Sequence, residues 1–374
     1  MTTFKRKVFY VGGFDPRGVR FYNGLHREAV ERWAQRTGKD VEVTPRKKVS
    51  PIRYDWTIRN RSDDALTRYS FLRWEDLVAT AWIRNPIELA KRAARAFGGY
   101  VRHLDRAYVR TLPRGPIVTL IYPFLAPILL PVVLGLIPFV VAAIWLPWWA
   151  ALLVGIVVGV AGSIPLLRMA RTGWLLRFFI FNAELAADEG GPALAERLDA
   201  FAYEIAAELD GDWDEVLLVT HSNGSILAMP LMARLLRARA GEMPDRFTLV
   251  TLGHCIPLVA ARRDALKFRE ELSEVSRGHF EWLDIGSPPD GAAFHSVDPM
   301  ALVAADHRPH LDQVSPRFHL FYDPETYHSG IANKYEIHFD YLRTGDRVSP
   351  LDFASITASA HGIDASVDAF RQIP

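Results

Sequence analysis

The sequence lacks most of the features that would classify it quickly. It has one cysteine, Cys255, in 374 residues. That excludes an intramolecular disulfide and fits a reducing compartment. It has almost no net charge: 44 Lys plus Arg against 43 Asp plus Glu leave +1. No overall basic field exists to hold nucleic acid, and no nucleic-acid partner is expected. The first twenty residues carry Lys5, Arg6, Lys7, Asp15, Arg17 and Arg20 and no apolar run, so a signal peptide is not expected there. No GxGxxG, Walker-type GxxxxGKS/T or HExxH pattern occurs, and neither a cofactor nor a metal is expected. Asp210, Asp212, Asp214 and Glu215 read as a solvated turn before a strand rather than a ligand set.

The most informative absence is local. Overall the chain is 49% apolar and 23% charged, an ordinary globular mixture. Yet residues 115 to 167 hold no Asp, Glu, Lys, Arg or His. A bilayer span needs ~20 apolar residues, so this stretch is too long for one span and sufficient for two. Prolines at 123, 127, 131, 138, 147 and 165 interrupt it, and membrane helices tolerate proline better than soluble ones. The spans are expected near 120–144 and 150–168. The turn falls at Leu146-Pro147-Trp148-Trp149, where tryptophans favour the interface. A hairpin buried in a soluble core is the alternative. Lys91, Arg92, Arg95, Arg102, Arg106, Arg110 and Arg114 precede the segment, and Arg168, Arg171 and Arg177 follow it. The positive-inside rule places both flanks in the cytoplasm, giving a multi-pass inner-membrane protein whose partner is the lipid bilayer. The same arginines suit anionic headgroups.

The rest reads as one interrupted α/β domain. Residues 1–114 form its N-terminal part with a basic juxtamembrane helix, 115–168 the transmembrane hairpin, and 169–374 its C-terminal part. Lys7–Val11, Val41–Val43, Arg53–Arg59, Glu215–Thr220, Phe247–Leu252 and His279–Ile285 are strand candidates. Helices are expected over Phe21–Thr37, Trp74–Trp82, Pro192–Leu209, Ser225–Ala240 and Leu258–Val275. This alternation predicts a mostly parallel sheet, and the unbroken apolar run of Glu215–Thr220 suits a central strand.

The chemistry-bearing stretch is Thr220-His221-Ser222-Asn223-Gly224, set between a buried strand and a helix. A serine on such a sharp turn requires small residues two before and two after it. The following helix N-terminus favours negative charge nearby. The pattern resembles the nucleophile elbow of the α/β-hydrolase superfamily of lipase- and esterase-like serine enzymes. Gly224 matches, Thr220 stands where glycine is usual, and His221 is common in lipase-like members. The plainer reading is that Ser222 or Asn223 merely caps the helix.

The resemblance implies an α/β-hydrolase fold and a Ser-His-acid triad, with the membrane segment inserted outside the shared core. Ser222 would be the nucleophile. Phe9 to Pro16 would supply the oxyanion loop, with donors at the N–H of Phe14 or Gly13 and at that of Asn223; an ordinary glycine turn is the alternative. The acid would be Asp290, in a Pro-Asp-Gly turn past the strand end, in preference to Asp284 within the strand. The base would come from His295, His307, His310, His319, His328, His338 and His361. His338 is favoured and His328 comes second, because His338-Phe339-Asp340-Tyr341-Leu342 is similar to an HFxYL ending of bacterial membrane-linked members. Cys255 has no such turn around it and reads as a small buried hydrophobe. The expected activity is hydrolysis of a lipid-like or other hydrophobic acyl ester, a small molecule or lipid, through an acyl-enzyme. Two rivals remain: a catalytically silent membrane scaffold, and an acyltransferase using the same triad.

Overall fold

The computed structural model describes residues 3–304 and 306–374. Its organising strand is β1 (Phe4–Val11). Phe9 and Val11 face one apolar layer, while Val8 and Tyr10 face the other. A strand buried on both faces takes helices on both sides. β1 pairs in parallel with β5 (Ala65–Leu72) on one edge and β6 (Glu215–His221) on the other. From β6 the sheet continues in parallel through β7 (Phe247–Leu252), β8 (Glu281–Ile285) and β9 (His310–Val314). Beyond β5, β4 (Arg53–Asn60) is antiparallel, as are β2 (Val41–Val43) and β3 (Lys47–Ser50) against it. The chain is therefore α/β with a mostly parallel mixed sheet in the order β2-β4-β5-β1-β6-β7-β8-β9. Because β1 precedes the apolar segment and β6 follows it, one sheet joins both flanks of the chain.

The first helices are α1 (Val19–Thr37), α2 (Glu75–Ala81), α3 (Pro86–His103) and the one-turn α4 (Arg106–Val109). Asn85 and Asp105 cap α3 and α4 by accepting N–H groups of their first turns. The apolar helices α5 (Arg114–Ala142) and α6 (Trp148–Met169) follow, and α7 (Thr172–Ala186) returns to the sheet. Together with α8 (Pro192–Leu209) and α9 (Asn223–Ala238), α7 covers one face. The expected helix from Leu258 to Val275 is two helices, α10 (Pro257–Ala260) and α11 (Leu266–Arg277). Between them the chain turns, and the nearly buried Arg262 guanidinium engages Asp264. The closing elements are α12 (Phe318–Phe321), α13 (Pro324–Ala332), α14 (Lys334–Ile337), α15 (Phe353–Ala358) and α16 (Ile363–Arg371). α1, α15 and α16 fill the other face of the sheet.

α5 and α6 are both long and apolar enough to cross a membrane, and the turn between them lies where the tryptophans placed it. Only 11% and 22% of their most apolar stretches are buried, so the hairpin is not the core of a soluble body. What it buries is small: Ala151, Gly155, Gly159 and Ser163 line the inner face of α6. A Cβ on Gly159 would collide with the Pro131 carbonyl, and one on Gly135 with the Gly155 carbonyl. Backbones this close pack as small-residue membrane helices do.

Candidate active site

Ser222 lies between the end of β6 and the first residue of α9, at φ 57° and ψ −124°. That left-handed backbone is costly for a serine and persists only where its surroundings impose it. Ladder hydrogen bonding imposes it from one side, since the Ser222 N–H donates to the Leu252 carbonyl at 3.0 Å. Gly224 permits it from the other, because a Cβ there would collide with the Val11 carbonyl. Thr220 remains inside β6, fully buried and in register with Val11 and Thr251. Ser222 makes no side-chain cap to α9, and neither polar atom of the buried Asn223 side chain has a hydrogen-bond partner among the described residues. The plain capping reading therefore does not describe these residues.

Asp290 and His338, 48 residues apart, meet at the same end of the sheet. His338 Nδ1 lies 2.8 Å from Asp290 Oδ2. The Tyr341 hydroxyl donates to the same oxygen at 3.2 Å and itself accepts the Ser287 N–H at 2.8 Å. The Ala292 N–H donates to Oδ1 at 2.9 Å. Burial by itself would raise the pKa of Asp290. The neighbouring His338, its hydrogen bond, and those from Ala292 and Tyr341 outweigh burial and hold the carboxyl below its ordinary value. Asp290 thus stays ionised and fixes the imidazole with Nδ1 as donor, leaving Nε2 as the free nitrogen.

Ser222 and His338 line one cavity, but they are not hydrogen-bonded. His338 Nε2 has no partner among the described residues, and the polar neighbour of the Ser222 hydroxyl is Cys255 Sγ at 3.9 Å. Of the expected mutual contact of Ser222, His338 and Asp290, the His338–Asp290 bond is present, while Ser222 shares only the cavity wall with His338. Burial pushes the Cys255 thiol well up, so it is no competing nucleophile.

The Gly12-Gly13-Phe14 loop at the end of β1 runs beside the serine. A Cβ on Gly13 would lie 3.2 Å from Ser222 Oγ. Its carbonyls are all tied back: Gly12 accepts the Trp74 indole at 2.9 Å, Gly13 the Asp15 N–H at 2.9 Å, and Phe14 the Trp174 indole at 3.1 Å. No protein acceptor among the described residues takes the N–H of Gly13 or Phe14. Asn223, first in α9, has an N–H that its helix leaves free.

The alternative candidates lie elsewhere. Asp284 accepts from Thr251 and Gln313 and has the buried His254 at 3.6 Å. His328 is exposed on α13. His338 follows the short α14 and leads into a 3₁₀ turn, not a longer terminal helix. The acids before β6 are spent on ion pairs and caps: Asp210 with Arg239, Asp212 with Lys5, Glu215 with the buried Arg6. Among the described residues, no group of His, Cys, Asp or Glu could hold a metal ion.

Sequence reasoning missed three contributors. Tyr341 holds Asp290, and only its place beside His338 hinted at it. His221 Nε2 donates to the His338 carbonyl at 2.8 Å, pinning the His338 loop to β6. Burial drops the His221 pKa to about 3, which keeps a second cation out of the site. The third is the roof of the cavity, formed by Pro116 and Thr119 of α5 and by Trp174, Leu175 and Phe178 of α7. No protein-family model, no curated protein and no solved structure matches this chain.

Proposed function

We propose that the chain is a membrane-embedded serine hydrolase of the α/β-hydrolase fold that cleaves hydrophobic acyl esters through Ser222, His338 and Asp290. One observation carries the reading: a serine in a left-handed turn between a central strand and a helix, facing a histidine held by a buried carboxylate. In the acylation step, Ser222 Oγ forms a bond to the ester carbonyl carbon. Its proton passes to His338 Nε2 and then to the departing alkoxide, which leaves as an alcohol. Gly13 or Phe14 and Asn223 offer N–H groups to the carbonyl oxygen as it becomes an oxyanion. Water then repeats the sequence: His338 takes its proton, the hydroxide attacks the acyl carbon, and Ser222 Oγ leaves with that proton. Asp290 remains ionised throughout and stabilises the imidazolium. The two apolar helices anchor the domain, with the basic flanks on the cytoplasmic face.

The test is turnover of long-chain p-nitrophenyl esters by the full chain, with mass-spectrometric capture of the acyl-enzyme. An acyl adduct on Ser222, absent from Ser222→Ala, is the expected result. A folded protein with no turnover and no adduct would instead favour a silent scaffold, the reading that the missing Ser222–His338 hydrogen bond supports.

A further inference from the structure

The roof over Ser222 is the foot of the membrane hairpin. Its latch is visible: the Thr119 hydroxyl donates to the Gly291 carbonyl at 2.7 Å. Gly291 follows Asp290 directly, so α5 grips the very loop that holds the acid. At its other end, α7 starts two residues after α6, and the Tyr122 hydroxyl ties α5 to the intervening Ala170 carbonyl at 2.7 Å. Beneath this roof the space open to water centres is ≈ 10 Å³, room for about one water. No ester fits until the roof moves.

Helix lengths set the depth of that roof. The 22 residues of α6 rise roughly 33 Å, and the 29 of α5 roughly 43 Å, against a hydrocarbon core of ~30 Å. α6 matches the core, and α5 exceeds it by roughly 13 Å. The helices share one end at the Trp145–Trp149 turn, so the surplus falls at the start of α5. Arg114 opens that surplus, and Arg168 lies in the last turn of α6. Pro116 and Thr119 lie within it, at the depth of the headgroups and ester linkages of a leaflet. The walls facing Ser222 there are apolar: Trp174, Leu175, Phe178 and Phe294. A polar, water-borne substrate would lose hydrogen bonds at such walls, whereas an acyl chain would not.

Resting on the hydrolase reading, we propose that Ser222 is supplied sideways from the bilayer. Its substrate is a bilayer-resident acyl amphiphile whose ester lies at headgroup depth and whose chain passes between the foot of α5 and α7. Water-soluble short esters are shut out by the Thr119–Gly291 latch.

The experiment uses the full chain in phosphatidylcholine vesicles and two fluorophosphonates with the same reactive head, one hexadecyl and one ethyl. In each, the Ser222 Oγ–P bond forms, the P–F bond breaks, and His338 carries the proton away as fluoride leaves. The hexadecyl probe should modify Ser222 at least roughly tenfold faster, since each buried methylene adds to its partition into the seam. In Thr119→Val, near in volume but without the latch hydroxyl and checked by melting temperature to be folded, ethyl labelling should rise a few-fold and the ratio should fall. Ethyl labelling as fast as hexadecyl, or an unchanged ratio in Thr119→Val, would overturn the bilayer route and leave the hydrolase intact. Labelling of Ser222 by neither probe would overturn the hydrolase reading and this proposal with it.

Discussion

The hairpin and the sheet body solve packing in opposite ways. In the body, large side chains point inward: Phe9, Trp56, Phe201, Phe247 and Trp282 are all but fully buried. In the hairpin the order is inverted. Gly135, Gly155, Gly159 and Ser163 lie inside, while Val132, Val133, Ile137 and Leu153 face out, each more than half exposed. Water rewards the first arrangement through apolar burial. The second is the packing that suits apolar surroundings, where close backbone contact is what remains to hold helices together, the setting proposed above for α5 and α6. Under the proposed insertion, the same residue types report two solvents within one chain.

Each half of that contrast can be broken separately. The largest effect belongs to the body. Ser222→Ala should lower ester turnover by several orders of magnitude, on the order of 10⁶ in kcat at the upper end, while α5 and α6 stay inserted. Kinetics together with carbonate extraction would check both, and loss of insertion would show that the halves are not separable. Next is the outer face of the hairpin. Val132→Lys, at a position 65% exposed, should cost about 2.5–3.5 kcal/mol of insertion energy near mid-span. Tyr203→Lys, on α8 and 78% exposed, should stay within about 0.5 kcal/mol. Equal effects in an insertion assay would erase the two-solvent contrast. On the inner face, Gly159→Leu should cost about 1–3 kcal/mol by forcing the helices apart, read as lowered thermal stability in detergent. A Leu153→Phe control on the lipid side should leave the melting temperature near wild type.

The smallest effect is on pH, and only the body can show it, because the hairpin has no Asp, Glu or His. Burial lowers the pKa of His26 to about 3. Its neutral ring accepts the Trp56 indole N–H at Nδ1 and lies 2.9 Å from the Thr357 hydroxyl at Nε2. His221 is shifted equally. Between pH 6.5 and about 3 the unfolded chain binds protons that the folded chain refuses. The contribution of these two histidines is therefore complete above pH 6.5 and drains as pH falls. Melting temperature should drop across that window, and His26→Phe should flatten the slope. A slope unchanged in His26→Phe would remove His26 from the account.

What the sequence made legible follows from the same physics. The hairpin was readable because residues 115 to 167 carry no Asp, Glu, Lys, Arg or His, enough for two long apolar helices. β6, the turn at Ser222 and the start of α9 were readable because each is a local demand on consecutive residues. β5 was not, although it is the partner of β1. Its run ALTRYSFL mixes Arg68 and Ser70 into an apolar pattern, and Ser70 is fully buried only because Asp55, on the neighbouring β4, accepts its hydroxyl. Cross-strand compensation of this kind has no signature within the strand itself. The choice of Asp290 over Asp284 was readable from its place past the strand end, but the partners that hold each acid were not. Tyr341 and Ala292 complete Asp290, while Thr251 and Gln313 occupy Asp284. α7 went unread because Thr172 to Ala186 continues the apolar character of α6 with only Arg177 and Glu184 to mark its return to the body.

The buried Arg6, on β1, fixes a timetable for synthesis. Its guanidinium binds Glu215, 209 residues later, and the carbonyls of Ser359 and His361 near the C-terminus. At ~5–20 residues per second, β1 leaves the ribosome roughly 10–40 s before β6 can pair with it. Through that interval one edge of β1 is an open template for other chains. The hairpin emerges within the same interval, and under the proposed insertion it would fix the nascent chain at the membrane. By the time Glu215 arrives, β1 and β6 would then be tethered to one spot on the bilayer instead of diffusing at the ends of a long loop. The insertion that splits the domain in sequence therefore shortens the search that reunites it.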